Sequence, residues 1–505
     1  MEAEVVHAGR GAAYIAVERL ASTLVGAVAF AFVARILTQT EMGIMVGLLL
    51  IMGVFQILSD FGFASGLAKY VAEYRGKKAD YTLVTFTGIW TKSLLAGFFA
   101  LACALLAPQL SSLLLKDVSY SFFFQLSALD VFFLCVFATV NKLLLGLNRF
   151  LEMAILGVTA VVVRQVFGVG LLMLGYGLSG FITGWILGDF TYVAVGSIIL
   201  LHERQIKMHS PREVMPHLRR LVKFSFPLFL ADSVLFLYAW FDRTILLAYI
   251  PLKEVAVYNV AYTAFGVLLV VPAALSTALL PYLSEQYGKN MHDRIAVGAS
   301  AGARYIVLIF TPLALGLMIT ATPVLTIFAG ELYAEGGLVL AILSLFQSIA
   351  GVGAIFTVLL LVYNMTPKVL LVNIMSVGIS FAASFLLLPI LGLAGLAVVK
   401  GLAIILTFVF TVVVLHRKRI EIKLDKEVLW KSWGAAAAMS IIVWLVQLAY
   451  FSLLLLPFYI IIGGVFYLAV LRLLKVLNMS DIILMRNLVG KRGRILADVF
   501  EKLLI

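Results

Sequence analysis

Apolar runs of about twenty residues, separated by short polar turns, fill almost the whole chain. A stretch of that length with few charges is long enough to cross a bilayer as a helix. The pattern predicts fourteen spans, over 11–37, 42–66, 81–107, 121–141, 151–173, 179–201, 224–249, 256–283, 297–321, 337–363, 369–387, 395–415, 432–449 and 458–476. The polar segments between them are short. The longest, about 202–223, is too small for a catalytic domain and joins two halves of the chain. Function is therefore expected inside the spans.

The polar turns alternate in charge. With both termini on the inner side, the inner segments hold about 27 Lys and Arg, whereas the outer loops hold Lys116 and Lys253. Such asymmetry is the positive-inside rule, and it predicts an even number of spans with both ends in the cytoplasm. The net charge of +12 is then mainly topological, and no nucleic-acid partner is expected.

The pattern also repeats. Residues 41–80 and 254–293 align without gaps at an offset of 213, pairing Glu41 with Glu254, Gly53 with Gly266 and Tyr74 with Tyr287. Farther on, Gly177-Leu178-Ser179-Gly180 matches Gly392-Leu393-Ala394-Gly395 at an offset of 215. Each copy holds six spans, so the two share one orientation, a parallel repeat of the kind that builds transporters. The expected organisation is all-α: an N-terminal six-helix bundle (1–201), a cytoplasmic linker (202–223), a C-terminal six-helix bundle (224–415), two additional spans (416–476) and a basic amphipathic tail (477–505). That tail carries apolar residues at helical spacing and reads as a helix lying on the inner membrane surface. Among the prolines, Pro272 is the best hinge candidate; Gly168/Gly170 and Gly351/Gly353 are expected to let helices pack closely.

Composition agrees with the pattern. The chain is 63% hydrophobic and only 13% charged over 505 residues, against roughly 25% charged in soluble domains. The two cysteines, Cys103 and Cys135, lie in apolar runs and indicate no disulfide framework. The N-terminus lacks the layout of a removable signal, so the first span is expected to stay. No His/Cys/Asp cluster has metal-ligand spacing, and the Gly-rich stretches lack the lysine of a phosphate loop. No cofactor is expected.

Charges inside the spans are the exception. Lys92, Asp130, Arg164, Asp189, Asp232 and Lys400 each interrupt an apolar run. An ionised group facing hydrocarbon costs at least ~2.5–3.5 kcal/mol, so these residues must face partners or a wet cavity.

From Lys223 onward the chain resembles a known family. The shared elements are Pro227 early in the seventh span, Asp242 near its outer end, Glu254-x-x-x-Tyr258-Asn259 leading into the eighth, and Pro281 with Ser284 at its end. The first copy carries Ala34-Arg35-Ile36-Leu37 followed by Glu41-x-Gly43, and LPILGLAGLAV at 388–398 resembles the loop before the twelfth span. Over about residues 10–415 these features are similar to the polysaccharide-transporter family. That family is the oligosaccharide-lipid flippase branch of the multidrug/oligosaccharidyl-lipid/polysaccharide exporter superfamily. The resemblance implies two six-helix bundles around a cavity that opens alternately to each face. It also implies a polyprenyl-pyrophosphate-linked glycan moved to the outer leaflet of a prokaryotic plasma membrane.

Such a substrate needs cations for its phosphate. At 1.5 Å per residue, Arg164 lies ~20 Å into its span, Lys92 ~16 Å and Asp189 ~15 Å. Arg164, Lys92 and Lys400 are expected to make the cavity positive, with Arg304 and Arg19 meeting the pyrophosphate near the inner side or snorkelling to headgroups. Asp189, Asp130 and Asp232 are candidates for proton or sodium coupling, or for pairing within the bundle, as Arg164 with Asp189. Asp242 and Arg243 read as an outer gate or rim pair. Glycosyltransferases or polymerases of the same pathway are the protein partners in view; a monomer is the default state. Two rivals remain: a cation-exchanging multidrug or metabolite exporter of the same superfamily, and a membrane-embedded glycan transferase or polymerase. The latter would need charged groups on a large outer loop, and the longest here, 322–336, offers only Glu331 and Glu335.

Overall fold

The structure, a computed structural model, describes residues 2–202, 211–420 and 425–476. The amphipathic tail and part of the linker lie outside the described residues. Every element among those described is helical. In chain order they are α1 (Glu2–Ile36), α2 (Gln39–Asp60), α3 (Phe63–Gly76), α4 (Thr82–Leu105), α5 (Ala107–Leu115), α6 (Ser121–Gly146), α7 (Phe150–Leu171), α8 (Gly177–His202) and α9 (Pro211–Tyr249). There follow α10 (Leu252–Leu268), α11 (Val270–Gly288), α12 (His292–Ile319), α13 (Ala321–Ala329), α14 (Gly337–Ala350), α15 (Gly353–Val362), α16 (Thr366–Arg417), α17 (Lys426–Ala449) and α18 (Leu456–Leu473).

Eleven stretches of the described residues are helical, long and apolar enough to cross a membrane, or twelve if the bent pair α10–α11 is one span. Two are far longer than one crossing: Phe150–His202 has 53 residues and α16 has 52. An unbroken 52-residue helix would reach ~78 Å, more than twice the ~30 Å hydrocarbon core. Both are interrupted, however. Gly177 (φ 55°, ψ −146°) breaks the first and Gly392 (φ 54°, ψ −134°) the second. Only glycine enters that region without steric penalty.

These two glycines are the pair matched by the sequence repeat, and the repeat extends to local structure. The nine-residue helices α5 and α13 occupy equivalent places after the third span of each copy. Each is followed by a left-handed residue, Lys116 (φ 58°) and Gly330 (φ 101°). Asn148 and Asn364 then end α6 and α15 with the same φ of 57°. The short helix α13 replaces the irregular outer loop expected over 322–336. Its apolar residues bury Ala321, Leu325 and Ala329, although nine residues are too few to span. In the same way, α3 runs on to Gly76 where a polar turn was expected from residue 67.

The chain forms two compact units, Met1–Asn259 and Val260–Ile505. In the first, α2 starts with a reciprocal cap: Thr38 N donates to Glu41 Oε2 at 2.9 Å, and Glu41 N to Thr38 Oγ1 at 3.2 Å. Just beyond it, a Cβ at Gly43 would stand 2.3 Å from the Leu252 carbonyl oxygen. The Glu41-x-Gly43 motif is thus a cap followed by a close approach. Helices α7 and α8 meet through Gly168, Gly184 and Gly188; a Cβ at Gly184 would lie 2.3 Å from Gly168 Cα. Gly170 faces open space, so of that pair only Gly168 packs.

In the second unit, α10 and α11 meet at a 41° bend. It falls at Leu269, just before Pro272, which has no N–H to return to Leu268 and whose ring crowds that carbonyl. Helices α17 and α18 pack on α12 through Leu308, Leu315, Ala435, Met439 and Tyr467. The Tyr467 hydroxyl donates to the Leu308 carbonyl at 2.9 Å.

Candidate functional site

In the first unit, a cavity of about 510 Å³ opens between α1, α2–α3, α6, α7 and α9. Glu18 and Arg19 come from α1, Gln56 and Asp60 from α2, Ser65 from α3, Asn141 and Lys142 from α6, Phe229 and Asp232 from α9. The wall exists because the second span breaks. Phe61 (φ 45°) and Gly62 (φ 73°) turn left-handed after Asp60. A Cβ at Gly62 would stand 2.3 Å from the Ser225 carbonyl oxygen, so the glycine is also what lets α9 close in. Asp60 Oδ1 accepts from Ala64 N at 3.3 Å, at the start of α3.

Lys92 does not itself line this cavity. It is 1% exposed, and its Nζ donates to Asp60 Oδ1 at 3.0 Å and to Ser59 Oγ at 3.1 Å. Lys92 therefore holds Asp60 from behind. Of the remaining sequence candidates, Arg19 and Asp232 are brought together here. Asp232 is within electrostatic reach of Asp60 and Lys142. Sequence reasoning passed over Asp60, Gln56, Asn141 and Lys142. Asp60 was legible as an acid inside the second apolar run, and Lys142 was absorbed into the count of inner-loop cations.

The other intramembrane charges lie elsewhere. Arg164 Nη2 on α7 bonds Asp189 Oδ1 on α8 at 2.7 Å. A Cβ at Gly188 would come within 2.6 Å of Arg164 Cβ, so the glycine permits the two helices to bring these partners together. Asp130 on α6 is fully buried beside them; among the described residues neither of its oxygens, nor Asp189 Oδ2, has a hydrogen-bond partner. None of the three lines this cavity; Arg164 is paired with Asp189 within the first unit. Asp242 accepts from the Tyr258 hydroxyl at 2.8 Å. Arg243 donates to the Ala239 carbonyl at 2.6 Å and lies 3.9 Å from the centre of the Trp240 ring. The Tyr258 of the sequence motif is thus the partner of its Asp242.

In the second unit, Lys400 is buried with Nζ 5.4 Å from the centre of the Tyr262 ring. Arg304 is a clamp for the last two helices. Its Nη2 donates to the Val476 carbonyl at 2.7 Å, and Nη1 lies 3.5 Å from Asp425 Oδ2. Asp425 also caps α17 through Val428 N at 3.1 Å.

Residues 8–286, more than half of the chain, match the family described as polysaccharide biosynthesis protein. The chain belongs to the polysaccharide biosynthesis protein family. No curated protein sequence matches it. Among solved structures, its fold is similar to the lipid II flippase MurJ in an inward closed conformation. The TM-score is 0.73 at 13% identity, covering 90% of this chain and 97% of that one. It is also similar to an inward-facing multidrug resistance MATE family transporter of the MOP superfamily (TM-score 0.60, 16% identity, 80% and 98% covered). A Vibrio cholerae MATE transporter matches with TM-score 0.55 at 14% identity, covering 83% and 98%. This member of the polysaccharide biosynthesis family is thus a multi-pass membrane protein, helical in every element of its described residues, with a fold like that of the lipid II flippase MurJ and of MATE transporters.

For a family member with that fold, the charges divide by what they face. Lys92, Arg164 and Arg304 spend their charge on protein partners. Arg19 and Lys142 line the cavity and make no hydrogen bond or ion pair among the described residues. A cation without a protein partner is open to a ligand, and here Arg19 is exposed and Lys142 half-buried. Two of them on one polar cavity can hold an anion, with Arg19 able to grip two oxygens of a phosphate at once.

Proposed function

We propose that the protein is a flippase that carries a polyprenyl-(pyro)phosphate-linked oligosaccharide from the inner to the outer leaflet by alternating access. It would serve surface polysaccharide or glycoprotein assembly in a prokaryotic plasma membrane. The observation that carries this reading is the pair Arg19 and Lys142, the cations lining the 510 Å³ cavity whose side chains make no hydrogen bond or ion pair among the described residues. The family match and the likeness to a flippase fold support it. Counting Phe150–His202 and α16 as two passes each, and α10–α11 as one, raises eleven spans to fourteen. That even number suits both termini in the cytoplasm, with the bundles 1–201 and 224–415 in one orientation. Transport is coupled to a proton held between Asp130 and Asp189, whose three unbonded oxygens leave room for one. The protein acts as a monomer beside the glycosyltransferases or polymerases of its pathway and is not itself an enzyme.

Reconstitution tests the reading. In liposomes carrying a labelled lipid-linked oligosaccharide, Arg19→Ala and Lys142→Ala should each slow flipping roughly tenfold or more, the cost of one charged hydrogen bond. Arg304→Ala should leave the rate per folded molecule within about twofold. Wild-type rates in both cavity variants would sink the proposal. A second reading has one observation in its favour: Glu18, Asp60 and Asp232 surround the same cavity, as a cation exporter would require. Uptake of a lipophilic cation in exchange for protons would select it.

A further inference from the structure

The cavity holds more carboxylate than an anion site needs. Glu18 and Asp60 are each held by one oxygen only. Glu18 Oε1 accepts from Ser22 Oγ at 2.9 Å, and Asp60 Oδ1 from Lys92 Nζ at 3.0 Å. Their second oxygens, Glu18 Oε2 and Asp60 Oδ2, accept no hydrogen bond among the described residues. A carboxylate fixed by one oxygen presents the other at a set angle, with its lone pairs free. Little ordering is then left to oppose binding.

Charge says what these acceptors are for. Glu18, Asp60 and Asp232 are matched in number by Arg19, Lys142 and the buried Lys92 behind Asp60. The cavity is balanced overall, so it does not favour a free cation. It suits a neutral ligand rich in hydroxyl donors, next to an anion. Two rings add flat apolar faces: Phe229, stacked on Phe61 at 4.6 Å between centres and 14° between planes, and Phe137, 4.0 Å from the Tyr192 ring. A pyranose ring has this dual character, with hydroxyls around its edge and C–H bonds on its faces.

We propose that Asp60 and Glu18, backed by Phe137 and Phe229, form a subsite for the sugar joined directly to the phosphate. Asp60 is its specificity-determining residue, and Lys92 its positioning residue. This rests on the reading of the cavity as a lipid-linked glycan site. It goes further by dividing that site into an anion end (Arg19, Lys142) and a sugar end.

The test uses the full chain in lipid nanodiscs. The probes are a short-chain polyprenyl pyrophosphate, bare or bearing one glucose, galactose or N-acetylglucosamine, with affinities read by native mass spectrometry. At least one sugar-bearing lipid should bind about tenfold tighter than the bare lipid, as one charged hydrogen bond allows. Asp60→Asn should erase that preference without weakening the bare lipid, whose anion gains from the lost carboxylate. Because it leaves Lys92 without its counter-ion, Glu18→Gln provides an independent variant, expected to lose several-fold of the same preference. Thermal melting checks that both are folded. A preference that survives both variants, or none in the wild type, overturns the sugar subsite. So does an equal loss for bare and sugar-bearing lipid in Asp60→Asn. Tetraphenylphosphonium binding that disappears in Asp60→Asn would assign the carboxylates to a cation instead. If Arg19→Ala leaves every affinity unchanged, the anion site itself fails, and with it the lipid-linked reading.

Discussion

A lone charge in an apolar helix announces that it has a partner without saying which. Arg164 and Asp189 stand 25 positions apart, and Lys92 and Asp60 32 apart. Each pair forms because two helices turn the right faces to one another. Removing one member of a fully buried pair costs about 3–5 kcal/mol, because the other charge is stranded; here one member of each pair is partly exposed, which lowers the cost. Arg164→Leu should therefore melt well below the wild type in detergent. The double variant Arg164→Leu/Asp189→Leu should regain most of that loss. A double variant no more stable than the single one would mean that Arg164 acts other than through Asp189. Asp130 gives the opposite expectation. Its oxygens make no hydrogen bond among the described residues, so Asp130→Asn should fold as well as the wild type. It should also flatten the dependence of flipping on an imposed pH gradient. A gradient response equal to wild type would remove Asp130 from proton coupling.

At the scale of the element, glycine decides which helices touch. Gly184 sits where an added methyl would come within 2.6 Å of the Arg164 carbonyl oxygen, and backbone cannot step aside as a side chain can. Gly184→Ala should therefore lower the melting temperature by several degrees. Gly170, four residues short of Leu174, meets nothing within 4 Å. There an alanine should be neutral or stabilise by up to about 1 kcal/mol, the helix-propensity gain. Thermal unfolding of the two variants side by side is decisive, since both change the same residue type in neighbouring helices. Gly177 and Gly392 are limited by conformation and not by space. Alanine at either should disturb the join between two passes, read as lost yield of folded protein.

At the scale of the molecule, two units repeat one design and a pair of helices is added to the second. The addition is pinned at one corner: Arg304 reaches Asp425 at the start of α17 and the Val476 carbonyl beyond α18. Lys431 adds a bond to the Leu474 carbonyl at 2.9 Å. Arg304→Ala should loosen this corner and lower stability by about 1–3 kcal/mol. Arg304→Lys, which can make one bond but not the fork, should recover only part. Equal melting of Arg304→Ala and wild type would show that the apolar contacts of α12 with α17 and α18 hold the addition alone.

The sequence by itself determined the helical membrane class, the approximate span limits and the internal repeat. Each is written in local terms: apolar run length, charge between runs, and glycines at a fixed offset. It also marked Asp232 and Lys92 as misfits, and Arg19 as a cation near the inner side. Only the tertiary structure decided which misfits share a cavity. It sent Arg164 to Asp189 and Arg304 to α17–α18, set Lys92 behind Asp60, and drew Lys142 out of the ranks of inner-loop cations. The reason is geometric. The cost of a charge in lipid belongs to the residue, but its relief belongs to whichever helix face lies opposite. That depends on rotation and approach set by glycines such as Gly62 and Gly188, each beside one charge in sequence but packed against a helix far along the chain.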